Sequence, residues 1–413
     1  MADEKVIDIP PAYTVVGKHD MMAKANHDET ARFNYLVNMN KYLSSVLGAG
    51  NKLAYDTRVL PAFEKTHGRQ PNHRHEIRRA MMLDPYHRLW SAMRRNTMEQ
   101  RQQAGRSLVL RQIDELVEKA KSYNEGAETL VFDDSVELPR YVAGVDHHCM
   151  PGSYHTELFD EDVSAGANYD AGLFVTTGGA LGAYADGGGQ AVARWARNEH
   201  PDWQPKRILD IGATIGHNAV PIAQAYPDAE VVAIDVSKPV LRYGHARAKA
   251  LGVDNISFVQ MSAEDLSKFE DNSFDWVQTT MFLHETSNAS MRRMMAEFHR
   301  VLKPGGLMLH IEQPQYDDEM PLYEQFIRDW DAFNNNEPFW SKLHELDLDE
   351  VFADAGFSHN ECFHTGVRAW ADPEIFPPSQ TGDEEDHGRA AVWHALGAWK
   401  EGAPAASKEK EVA

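Results

Sequence analysis

RILDIGATIGHNAV, residues 207–220, reads as an apolar strand that ends in an acid, a turn bracketed by glycines, and the start of a helix. The strand is Ile208–Ile211 and its acid is Asp210. Gly212 and Gly216 stand where the backbone passes close to a ligand, because only glycine leaves that space open. The helix that follows offers free N–H groups suited to a carboxylate or a phosphate. Asp235 ends the next apolar run, AEVVAIDVS (residues 229–237). A carboxylate there can accept hydrogen bonds from both hydroxyls of a ribose. This much specifies an α/β domain for a nucleotide-like molecule; the competing reading makes Asp210 and Asp235 strand-end helix caps.

Outward from this stretch, short apolar runs alternate with amphipathic ones. Strands are expected at Val231–Asp235, Ile256–Gln260, Phe274–Thr279 and Leu307–Glu312, and helices after Gly216, Lys238 and Asn288. That alternation predicts a parallel sheet with crossover helices. Met291, Met294, Met295, Phe298, Val301 and Leu302 form one helical stripe, which is core and not a metal box. HNECFHTG (359–366) and VWHALGAWK (392–400) are expected to pair antiparallel and close the sheet, with Asp372–Arg389 as a surface loop between them. Upstream, residues 1–27 read as a flexible arm and 28–125 as a helical domain for dimerisation or substrate capping. Residues 126–190, rich in Gly, Asp and Tyr, read as a connecting or lid segment. The sheet domain is then 191–400, with an aromatic acceptor-side insertion at 313–345 and a disordered tail at 401–413.

Two cofactors fit the first stretch, NAD(P) and S-adenosylmethionine. The dinucleotide fingerprint is G-x-G-x-x-G, whereas Gly212 and Gly216 give G-x-x-x-G. AEVVAIDVS is followed in order by MSAEDL (261–266), FDWVQTTMFLHE (274–285) and RVLKPGGLMLHIE (300–312). Over residues 205–312, this ordered run resembles the class I S-adenosylmethionine-dependent methyltransferases of the small-molecule type with an N-terminal helical domain. The resemblance implies a doubly wound, Rossmann-like sheet of seven strands and S-adenosylmethionine as cofactor. It places Asp210 at the methionine end and the backbone of Gly212 and Ala213 at its amino acid part, on the loop completed by Thr214 and Gly216. Asp235 would hold the ribose, Val236 the adenine face, Ala263 and Glu264 the adenine amino group, and Thr279 or Thr280 the underside of the methionine moiety. Thr214 departs from the pattern, occupying the usual position of a middle glycine. Glu264 reads equally well as a solvated acid at a helix start.

The fourth strand runs into TTMFLHETSNAS (279–290). Ligands of doubly wound sheets lie beyond the carboxyl ends of the strands, which puts His284 and Glu285 beside an acceptor. An imidazole can take the proton of a hydroxyl as it is methylated, with a carboxylate to orient it. Small-molecule O-methyltransferases with a helical dimerisation domain carry Leu-His-Asp here, the histidine being the general base. Leu283-His284-Glu285 is similar, with Glu for Asp and without the tryptophan that follows. O-methylation of a small molecule is therefore expected, with S- or C-methylation and a non-catalytic, cofactor-binding scaffold as alternatives. A homodimer through the N-terminal helices is a separate expectation. Tyr169, beside Asp170, is expected in a cofactor lid, the alternative being a buried loop aromatic.

The formal net charge of −22 over 413 residues repels phosphate backbones and anionic membranes, so neither nucleic acid nor a membrane is an expected partner. Two cysteines build no disulfide framework, and the first residues have neither a basic nor an apolar leader region, so a cytoplasmic location is expected. Asp146-His147-His148-Cys149 with His155 offers zinc-type ligands. Their spacing follows no regular ligand pattern and adjacent histidines rarely point at one ion, so no metal is expected; the segment is read as pocket lining. The basic run QPNHRHEIRR (70–79) reads as a solvated helix face.

Overall fold

The protein is described from a computed structural model, which covers residues 10–17, 19–370 and 392–402. The expected loop Asp372–Arg389 and nearly all of the expected tail lie outside the described residues.

Eight strands form one sheet in the order β1-β4-β3-β2-β5-β6-β8-β7. They are β1 Leu130–Val131, β2 Arg207–Ile211, β3 Glu230–Asp235, β4 Ile256–Gln260, β5 Phe274–Thr280, β6 Leu302–Ile311, β7 Cys362–Arg368 and β8 Val392–Trp399. β1 to β6 pair in parallel, and β8 runs antiparallel between β6 and β7 as expected. The sheet has one strand more than the expected seven, because Leu130–Val131 of the connecting segment pairs with Phe258–Val259. β6 also starts earlier than expected, at Leu302, so the Pro-Gly-Gly turn lies within the strand. The strand order reverses between β2 and β5, and the crevice at that switch point is where such sheets take their ligands.

Successive residues of a strand point to opposite faces, and the sheet has a core on each. Ile208, Val231, Ala233, Trp276 and Leu309 pack under the Gly187–Glu199 and Ala219–Ala225 helices. Leu209, Ile211, Val232, Val277 and Met308 pack against the methionine stripe of the Asn288–Val301 helix.

The upstream region is helical but is not a separate body. Its first helix, His27–Tyr42, starts in a capping box in which Asn26 and Glu29 each accept the other's backbone N–H. The long Pro85–Leu110 helix starts on Asp84, which accepts the N–H groups of Tyr86 and His87. Phe33, Leu36, Val109 and Leu116 share a core with Phe174 of the Ser164–Thr177 helix and with Tyr243 and Ala246 of the sheet domain. The segment 126–190 thus contributes a buried helix as well as connections.

Two further readings change. The described part of the expected arm is packed: Tyr13 stacks on Phe33 at 4.4 Å and Met21 is fully buried. The basic run is not simply a solvated face either, since Arg74 is buried and holds Asp329 at 2.6 Å and Glu345 across to the insertion. Phe326 and Trp330 of the insertion pack into the N-terminal helices, Trp330 donating to Ser91 Oγ at 2.8 Å. The helices and the insertion together roof the sheet's carboxyl edge.

Candidate active site

A cavity of about 300 Å³ opens at that edge. It runs from Gly212, Thr214 and Asp235 on the sheet to His284, Glu285 and Trp340 under the roof.

The sheet side is built by one carboxylate. Asp235 Oδ2 accepts the N–H of Thr214 at 3.0 Å and Oδ1 that of Ser237 at 2.9 Å, which ties the glycine loop of β2 to the end of β3. Thr214 has φ +46°, so it holds the left-handed conformation for which the family uses glycine. The departure in sequence is thus absorbed as local strain at Thr214. Gly212, at φ +67°, touches the Phe282 ring so closely that any Cβ would sit 2.3 Å from it. Glycine at this position is required by the packing of Phe282 and by its positive φ. The donor set, with Asp235, Val236 and Ala263 lining one wall, fits a ribose and its base.

Not every expected residue reaches the cavity. Gly212, Thr214, Asp235, Val236, Ala263, Tyr169, His284 and Glu285 line it, whereas Asp210, Ala213, Gly216, Glu264 and Thr279 do not. Ala213 donates its N–H to Ile234 at 3.0 Å, so that group is not free for a ligand. Gly216 serves packing, with Phe258 2.9 Å from where its Cβ would be. Glu264 is held at the surface by Arg293 and accepts from Tyr141 at 3.1 Å. Thr279 lies on the inner face of β5, 2.7 Å from His310 Nδ1, and the alternation of the strand gives the cavity Thr280 instead. Asp210 is buried; burial and the nearby Asp235 push its carboxyl up to about 8. Burial raises Asp235 as well, against the two N–H bonds that favour its charge.

Tyr169 does line the cavity, tilted over His217 with ring centres 5.3 Å apart. Its neighbour Asp170 is no lid residue. It is a buried hub with His19 Nε2 at 3.0 Å, Tyr243 hydroxyl at 2.8 Å, His217 Nε2 at 3.3 Å and Arg247 Nε at 3.6 Å. Against the cost of burial, those partners hold its carboxyl well below the usual range.

The acceptor side contains a residue that sequence reasoning missed. His284 Nδ1 donates to Glu312 Oε1 at 2.6 Å, and Glu312 Oε2 accepts the N–H of Leu283 at 2.8 Å. Glu312 follows β6, whose Ile311 pairs with Thr280, so the register sets it beside the His284 loop. Glu312, not Glu285, orients the imidazole and leaves Nε2 facing inward. Burial opposes a charge on His284, but Glu312 and then Glu285 and Glu337 outweigh it and raise the ring to about 10. Burial opposes ionisation of Glu312 too, and His284 with the backbone N–H groups lowers its pKa overall. Trp340 packs edge-on to the His284 ring, with centres 4.6 Å apart. Arg101, nine-tenths buried, also lines the cavity; it donates to Thr176 Oγ1 while its Nε has no hydrogen-bond partner.

Residues 208–306 match the methyltransferase domain family. That stretch of the chain is a methyltransferase domain. An uncharacterized methyltransferase, YcgJ of Bacillus subtilis, is 30% identical over 40% of this chain and 60% of its own length. The demethylmenaquinone methyltransferase of Geobacillus kaustophilus is 34% identical over 30% of this chain and 53% of its own length. The ubiquinone/menaquinone biosynthesis C-methyltransferase UbiE of Brucella abortus is 32% identical over 34% and 50%. The chain thus spans half to three-fifths of the length of these relatives. Among solved structures, a putative O-methyltransferase of Nostoc punctiforme overlays with a TM-score of 0.39 at 18% identity, covering 55% of this chain and 60% of that one. The roof of the cavity lies outside the matched residues.

Proposed function

We propose that the protein methylates a small molecule held between the His284 loop and the helical roof, and that the atom methylated is an oxygen. One observation carries this reading: a single cavity joins the Asp235 edge to His284 and Glu285. S-adenosylmethionine, when bound, supplies an electrophilic methyl group carried on a sulfonium. Asp235, with Val236 and Ala263, binds and orients its adenosine end. His284, fixed by Glu312, presents Nε2 to the acceptor hydroxyl; its ring is held protonated by the field of Glu312, Glu285 and Glu337, and it takes the hydroxyl's proton only where that field is offset. The roof, with Trp340 and Tyr169, excludes water from the reacting oxygen. Arg101 is a buried cation with an unused N–H, and supports an acceptor that carries an anionic group such as a carboxylate.

A carbon acceptor is the second reading, supported by the names of the quinone-pathway relatives. Incubation with methyl-labelled cofactor and a panel of hydroxy acids, phenolic acids and quinols decides between them. Label in a base-stable ether or in an ester supports the oxygen reading, and label on ring carbon alone refutes it. Binding of the cofactor without transfer to any member of the panel, or to a cell extract, would favour a scaffold. His284→Ala should leave cofactor affinity within about twofold and lower turnover; a variant with normal turnover would remove the base from the proposal.

A further inference from the structure

Beyond the cofactor edge, the cavity ends in a cluster of two histidines and two carboxylates. His148 Nε2 lies 3.2 Å from Glu285 Oε1 and 3.3 Å from Glu337 Oε1. His147 Nε2 lies 3.3 Å from the other oxygen of Glu285. His148, Glu285 and Glu337 offer ligand atoms that all fall within 4.8 Å of one another. The two adjacent histidines reach one carboxylate because His148 and Cys149 both take positive φ, +51° and +56°, which turns the chain sharply.

The hydrogen bonding of the cluster is incomplete on its inner side only. His147 Nδ1 is 3.4 Å from Ser153 Oγ and His148 Nδ1 is 2.5 Å from the Tyr154 hydroxyl. Outer oxygens that accept the Nδ1 proton leave the Nε2 lone pair pointing inward, the form in which imidazole binds a metal. Asn335 Nδ2 supports Glu337 Oε1 in the same way. Inside, both oxygens of Glu285 and Nε2 of His147 lie in ion-pair range of one another and of His148, and Oε2 of Glu337 lies 4.0 Å from His284 Nε2, yet none of these buried atoms has a partner in hydrogen-bond geometry. Glu337, whose side chain is 3% exposed, is thus a nine-tenths buried carboxylate with one free oxygen aimed into the cluster. Leaving such groups unmatched is costly.

We propose that His148, Glu285 and Glu337, with His147 as fourth donor, bind a divalent first-row transition-metal ion. Bonds of about 2.1 Å place neighbouring ligand atoms about 3.0 Å apart in an octahedral and about 3.4 Å apart in a tetrahedral arrangement. The observed 3.2 and 3.3 Å lie within that interval. Two imidazoles and two carboxylates suit zinc, manganese, cobalt or ferrous iron and disfavour magnesium and calcium, which take oxygen ligands. Cys149 is not a ligand, since its Sγ is directed to Asn335 Oδ1 at 3.7 Å. The ion's open positions face the cavity. If the oxygen reading above holds, they meet the acceptor, where the ion polarises the hydroxyl as a Lewis acid. The metal site itself does not depend on that reading.

The full-length protein, stripped with a chelator and then loaded separately with Zn²⁺, Mn²⁺, Co²⁺ or anaerobic Fe²⁺, tests this. One equivalent by elemental analysis, with an X-ray absorption shell of nitrogen and oxygen at about 2.1 Å and no sulfur, is expected. Glu337→Gln and His148→Gln should each weaken binding at least tenfold. Tyr154→Phe should weaken it about 10-fold or more while keeping all four ligands. Less than a tenth of an equivalent with every ion, sulfur in the shell, or variants that bind as wild type would overturn the proposal. Titration with S-adenosylmethionine runs alongside: failure to bind it would overturn the methyltransferase reading and leave the metal site standing.

Discussion

Asp210→Asn should make the cofactor-free protein more stable. In the folded chain, burial first and the charge of Asp235 second raise the Asp210 carboxyl from 3.8 to about 8. At neutral pH the folded protein therefore keeps a proton that the unfolded chain gives up. A folded state that binds more protons than the unfolded state loses stability as pH rises. The loss begins near pH 4, grows by about 1.4 kcal/mol per pH unit, and levels off near pH 8. At pH 7 it amounts to about 4 kcal/mol. Asparagine has the shape of the neutral acid and never titrates, so it removes the loss. Urea denaturation of both proteins at pH 5, 6, 7 and 8, without cofactor, should give a stability gap that widens with pH and stops widening above 8. Two urea curves that stay parallel from pH 5 to 8 would refute the assignment of a retained proton to Asp210.

Glu312→Gln should lower stability by about 3–5 kcal/mol, because it leaves a buried imidazolium without its carboxylate. His284 is raised in the folded state, so its contribution is complete below pH 6.5 and is lost as pH rises through about 10; the gap between the two proteins should close there in chemical denaturation. Asp235→Ala removes two backbone hydrogen bonds as well as the ribose acceptor, and should weaken cofactor binding by 10- to 100-fold in calorimetry. Trp330→Ala empties a site packed by Leu43, Trp90 and the Arg94 guanidinium at 4.1 Å, and should cost about 3–5 kcal/mol in thermal denaturation.

The cofactor half of this site was legible because it is local. Strand ends, glycines and their following helices succeed one another between Arg207 and Ile311, and the observed strands begin and end within a residue or so of the alternation, save the early start of β6. Where the reading failed, the missing information was non-local. Thr279 and Thr280 differ only in the face they occupy, which in a strand buried on both sides the hydropathy pattern does not mark. Glu312 looked like a strand terminus until the β5–β6 register set it against His284. Arg74 looked solvated because its partners, Asp329 and Glu345, lie more than 250 residues away in the chain. The carboxylates that face His147 and His148 could not be read from their segment because Glu285 and Glu337 belong to two other segments.

The division of the chain explains the division of labour. The matched residues 208–306 supply the sheet edge for a cofactor common to the family, together with His284 and Glu285. Everything that surrounds those two side chains comes from outside that stretch: His147 and His148 before it, Glu312, Glu337 and Trp340 after it. Three carboxylates converge on His284 there, and their field is what holds a proton on its ring. A divalent ion between Glu285 and Glu337 would cancel the field of two of the three. It would thereby return His284 toward the neutral form that a base requires, while polarising the hydroxyl it deprotonates. The base and the metal are therefore not rival explanations of the cluster. If the ion binds as proposed, it supplies the condition under which His284 can act as the proposed base, and its removal should leave the cofactor bound and the proton in place.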